Sequence, residues 1–88
     1  MANLSEIIRA TRASASALES MSRFNRIIAD SDHAIDYVDR AIARGVNPDS
    51  VKQIFTAAVA DKNRAMSGLA KARGRYERAN LTLARNPL

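Results

Sequence analysis

Arg40-Ala41-Ile42-Ala43-Arg44-Gly45-Val46-Asn47-Pro48-Asp49-Ser50-Val51 is the stretch that decides the fold, because only here does one helix clearly stop and another clearly start. Gly45 follows a last turn that carries Arg40 and Arg44, and a glycine just past a basic turn suits a helix C-cap. Asn47-Pro48-Asp49 then supplies an N-cap, a proline at the first helical position and an acid in the first turn. Working outward, Asn3 with Glu6 three residues on resembles a capping box, so the first helix should start near Leu4. At the far end Asn86-Pro87 is the only stop signal. The sequence predicts one all-α helical-hairpin domain over residues 1–88, with helices at 4–44 and 48–85 and a turn at 45–47. Asp30-Ser31-Asp32 joins three poor helix formers and marks a weaker place for a bend. Gly68 and Gly74 fall inside the second helix, where each should cost about 1 kcal/mol relative to alanine.

Both predicted helices carry a seven-residue repeat. In the second, Val51, Ala58, Ala65, Ala72 and Ala79 alternate with Phe55, Lys62, Leu69, Tyr76 and Leu83. In the first, Ile7, Ser14, Met21, Ile28, Ile35 and Ile42 keep the same spacing, the pattern of a coiled-coil seam. A hinge at 45–47 pairs residues whose numbers add up to about 93. That sets Ile42 on Val51, Ile35 on Ala58, Ile28 on Ala65 and Met21 on Ala72. Val38 then meets Phe55, Phe24 meets Leu69, Ala17 meets Tyr76 and Ala10 meets Leu83. Large residues would face small ones, which fills space without voids. Each helix would be roughly 60 Å long.

The composition excludes much. The chain has 88 residues, no cysteine and 47% hydrophobic residues. Alanine supplies 17 of the apolar positions, leaving 24 larger side chains, too few for a wide core. Disulfides, thiolate metal sites and cysteine nucleophiles are out. No apolar run reaches the roughly 18 residues of a membrane span, and Met1-Ala2-Asn3-Leu4-Ser5-Glu6 lacks a signal-peptide pattern. The expected location is therefore the cytoplasm or a larger assembly. No Walker loop, Gly-x-Gly-x-x-Gly or Gly-x-Ser-x-Gly elbow occurs, so neither an enzyme nor a small-molecule substrate is expected.

Two features point to partners. Leu4, Ile8, Leu18, Ile27, Ile54, Val59, Met66 and Leu81 fall outside the seam, more apolar residues than a monomeric rod should expose. Seven of them, Leu4, Ile8, Leu18, Ile27, Ile54, Met66 and Leu81, are the candidate oligomer interface. The net charge of +5 is also uneven: +2 over residues 1–29, −2 over 30–60 and +5 over 61–88. Arg64, Lys71, Arg78 and Arg85 recur every seven residues with Arg75 beside them. This stripe, roughly 30 Å long, could follow phosphates or an acidic protein surface, or face a neighbouring subunit. Tyr76 belongs to the seam, which leaves no aromatic platform for base stacking.

One chemical cluster stands mid-chain. His33 has Asp30 and Asp36 three residues to either side, and the hairpin should bring Asp61 opposite Asp32. The spacing is similar to one ligand pair of di-iron bundles, but His33 is the only histidine. No metal or other cofactor is expected. A polar layer of Ser31 and Lys62 with Asp30 or Asp32 that fixes register accounts for the same residues.

The outline of two long helices and an Asn-Pro turn in under 90 residues resembles type III secretion needle subunits. It also resembles the small plasmid copy-control hairpins that dimerise into four-helix bundles and bind RNA. Both resemblances are of shape alone, and the basic C-terminal half ending in Asn86-Pro87-Leu88 departs from the needle outline. The expected function is a non-enzymatic structural or adaptor subunit working through helix–helix contacts in a homo-oligomer. The alternatives are a nucleic-acid-binding hairpin using the basic stripe, or a small inhibitor that docks on a larger partner.

Overall fold

The computed structural model describes residues 3–87, which form two helices, α1 (Leu4–Ala43) and α2 (Pro48–Arg85), packed antiparallel. Arg44 is the cap of α1 and not its last helical residue. The helix runs without interruption through Asp30-Ser31-Asp32, where the sequence allowed a bend. Ser31 is buried against the partner helix, and packing of that face outweighs the weak local propensity.

The turn is closed by backbone hydrogen bonds that the glycine makes possible. Gly45 takes φ +95°, a left-handed conformation open to glycine at little cost. Its N–H donates to the Ile42 carbonyl and the Val46 N–H reaches back to Ala41, both at 3.0 Å, the two bonds of a Schellman cap. Asn47 then starts α2 by accepting from the Asp49 N–H at 3.0 Å. At the opposite end the Asn3 side chain accepts from the Glu6 N–H at 3.2 Å, the forward half of the expected capping box. The Asn3 N–H turns instead to the Asn86 side-chain oxygen at 3.3 Å, across the hairpin. Asn86 also donates through Nδ2 to the Thr82 carbonyl at 2.9 Å. One asparagine thus caps α2 and ties the two chain ends together.

The seam uses the expected residues, with the small row at its centre and the large row at its edge. The fully buried row is Ala10, Ala17, Ser31 and Val38 on α1 and Val51, Ala58, Ala65, Ala72 and Ala79 on α2. Val38, Ala41 and Val51 form one buried cluster. Ala10 shares a groove with Ala79, Ser31 with Ala58, and Phe24 with Ala65. These pairs add up to 89, as do Asn3 and Asn86 at the open end, while Ile42 with Val51 and Val38 with Phe55, two of the expected pairs adding up to 93, also share a groove. The difference from the expectation is which row lies innermost. Small residues face small residues, which lets the two backbones approach closely. The result is a thin rod of 67 × 15 × 13 Å.

Phe24 is the one bulky aromatic in that small row, and Gly68 makes room for it. A Cβ on Gly68 would stand 2.5–2.9 Å from three atoms of the Phe24 ring. Helical side chains lean toward their own N-terminus, so a ring rooted level with Ala65 reaches toward residue 68. Gly68, expected only as a local weakness, is thus part of the packing. A Cβ at Gly74 would meet only the end of the Arg78 side chain at 3.4 Å, so that glycine has no such role.

Candidate interaction faces

The register sorts every remaining seam residue onto one of two flanks. On one flank lie Ile7, Met21, Ile28 and Ile35 of α1 and Leu69, Tyr76 and Leu83 of α2, all half-buried. At the turn end of this flank Ile42 and Phe55 share a shallow groove with Val38 and Val51. They are 42% and 43% exposed, which corrects their assignment to the buried seam. Large side chains cannot close over one another where the small row beside them holds the backbones together. Leu4, Leu18 and Met66 are exposed one row farther out on the same side. Together these residues make an apolar face along the rod.

The other flank carries mostly small side chains. Ala13, Ser20, Ala34 and Ala41 of α1 stand beside Gly68 and Thr82 of α2, with Ile27 and Ile54 as the apolar exceptions. Ile27 and Ile54 line one groove with Asp30, Ala34 and Asp61. Ile8 and Leu81 lie on the outer surfaces of their helices, exposed and away from both flanks. The seven candidate interface residues are all exposed but do not form one surface: Leu4, Leu18 and Met66 border the apolar flank, Ile27 and Ile54 share the opposite groove, and Ile8 and Leu81 face outward. The strongest apolar surface comes from residues the sequence had assigned to the seam. The expected facing of large residues on small ones hid it, because it placed the large row at the centre of the seam.

The basic stripe borders the small flank. Arg75 and Arg78 line a groove of about 440 Å³ with Glu6, Arg9, Ala13 and Thr82 at the open end of the rod. Lys71 and Arg85 continue the row, both exposed. Arg64 differs from the rest, since its guanidinium holds Asp61 at 2.5 Å within α2. The other ion pairs among the described residues are Arg40–Asp36 at 2.9 Å and Lys62–Asp32 at 2.6 Å. All three pairs belong to the turn half and middle. Lys71, Arg75, Arg78 and Arg85 have no acidic partner among the described residues.

Among the described residues Lys62–Asp32 is the one ion pair between the helices, and it joins two of the residues expected in a polar layer. Lys62 sits in the large-residue row, half-buried, and reaches toward the turn to meet Asp32. Asp61 does not face Asp32, as expected from the sequence; it lies in the opposite groove with Ile27 and Asp30. His33 shares a surface groove with Asp36, Tyr37, Arg40 and Arg44, apart from Asp30. The described residues contain no group of three or more His, Asp or Glu able to hold a metal ion. None of the described helices is long and apolar enough to cross a membrane.

Comparison with protein families, curated proteins and solved structures gave no match for this chain.

Proposed function

We propose that the chain is a non-enzymatic structural or adaptor subunit that associates with copies of itself through its apolar face. The observation that carries this reading is the half-exposure of Ile42 and Phe55 at one end of a row of large side chains that is interrupted by polar residues only at Ser14 and Lys62. The face runs along a rod 67 Å long, and a standard stable interface needs roughly 800 Å² per partner. Apposing two such faces makes a four-helix bundle whose core is that row. The large residues then gain the burial that a lone hairpin denies them, at about 25 cal/mol per Å².

Sedimentation at about 50 μM, where an association of roughly −6 kcal/mol is populated, tests the proposal. A dimer or larger species is expected. Replacing exposed Leu18 and Met66 with lysine should lower the mass toward monomer while the helical circular dichroism stays near wild type. A monomeric wild type overturns the reading.

A further inference from the structure

We infer that the open end of the rod binds duplex nucleic acid through its phosphates, using Lys71, Arg75, Arg78 and Arg85 of α2 with Arg9 of α1 across the groove. The argument stands on a different face from the self-association and does not need it. Residues 71, 78 and 85 occupy one row at a spacing of about 10.5 Å, with Arg75 one row inward. This stretch covers roughly 21 Å of helix axis along a rod whose ends are fixed by the Asn3–Asn86 contact.

Three observations select this partner. First, the acids that could neutralise the row are absent from it: each ion pair among the described residues uses Asp32, Asp36 or Asp61, toward the turn. Glu6 is the one acid in the groove of Arg9, Arg75 and Arg78. Second, the charge exceeds what the helix dipole explains. A helix C-terminus favours cations within its last turn only, which accounts for Arg85 but not for Lys71, Arg75 or Arg78. Third, the groove between the cations is floored by small side chains: Ala10, Ala13, Ala79 and Thr82 leave room for a backbone to approach. Tyr76, the nearest aromatic, lies on the apolar flank and offers no stacking surface beside the cations, which favours a double helix over unstacked single strands. An acidic protein surface would meet the same charges, but it lacks the regular run of like charges that an unbroken row of cations matches.

The test is fluorescence anisotropy with a labelled duplex DNA of about 30 base pairs, over about 50 to 200 mM salt. Five phosphate contacts predict a slope of log K against log salt of about −4.5, about a 500-fold loss across that range. Lys71→Gln, Arg75→Gln and Arg78→Gln combined should reduce the slope by about three units. A charge-matched control, Arg12→Gln with Arg26→Gln and Lys52→Gln, removes as many cations from other surfaces and should keep most of the affinity. Sedimentation of the stripe variant should give the wild-type mass, which separates this inference from the self-association. The inference is overturned by no binding at the lowest salt, by equal losses in the two triple variants, or by polyglutamate competing as well as unlabelled duplex.

Discussion

The two flanks of the seam share one spacing and opposite chemistry. On one, Ile7, Met21, Ile28, Ile35, Leu69, Tyr76 and Leu83 stand half-covered; on the other, Ala13, Ser20, Ala34, Gly68 and Thr82 leave a shallow trough edged by cations. Between them runs a row of alanines with almost no exposure, including Ala17 and Ala72 at 0%. The difference teaches that the hairpin is held by close backbone approach over small residues, not by its largest side chains. The large row contributes only part of its apolar area to the fold, and the rest is available to a partner.

The sharpest way to break that account is to enlarge the small row. Ala65 is 2% exposed and sits beside Phe24. Ala65→Leu should overpack it and destabilise by about 1–3 kcal/mol, whereas exposed Ala60→Leu should be nearly neutral. Equal thermal midpoints for the two would refute the seam.

Next in size is Gly68→Ala. Helix propensity favours alanine by about 1 kcal/mol, but the added methyl collides with the Phe24 ring, and we expect a net loss of about 1 kcal/mol. In a Phe24→Leu background the same change should become stabilising. Urea titrations of the four proteins of that cycle measure the reversal, and additive effects would argue against the contact.

Gly74→Ala is the counterpart on open surface, where propensity acts alone. It should stabilise by about 1 kcal/mol, and a lower urea midpoint than wild type would show a constraint at Gly74 beyond its surface position. The smallest effect belongs to the polar layer. Asp32 and Lys62 keep side-chain exposures of 53% and 34%, so solvent screens the pair. Asp32→Asn should cost under about 1 kcal/mol, less at high salt.

The sequence by itself determined the hairpin. Gly45, Asn47, Pro48 and Asp49 impose backbone geometry and capping that depend on neighbours in the chain, and a seven-residue repeat marks the inner face of each helix wherever the partner lies. It also determined the uneven charge, since Lys71, Arg75, Arg78 and Arg85 share a helix side by spacing alone. Which row lies innermost was decided only by the tertiary structure. A seven-residue repeat marks the inner face of each helix but not which of its rows points straight at the partner. What decides it is the energy of bringing two backbones together, which favours alanine on alanine and leaves Ile42 and Phe55 half-exposed. The same distance between axes gives Gly68 its role under Phe24 and turns a supposed seam row into an exposed apolar face. No local pattern reports that distance, because it is set by side chains on opposite helices acting together.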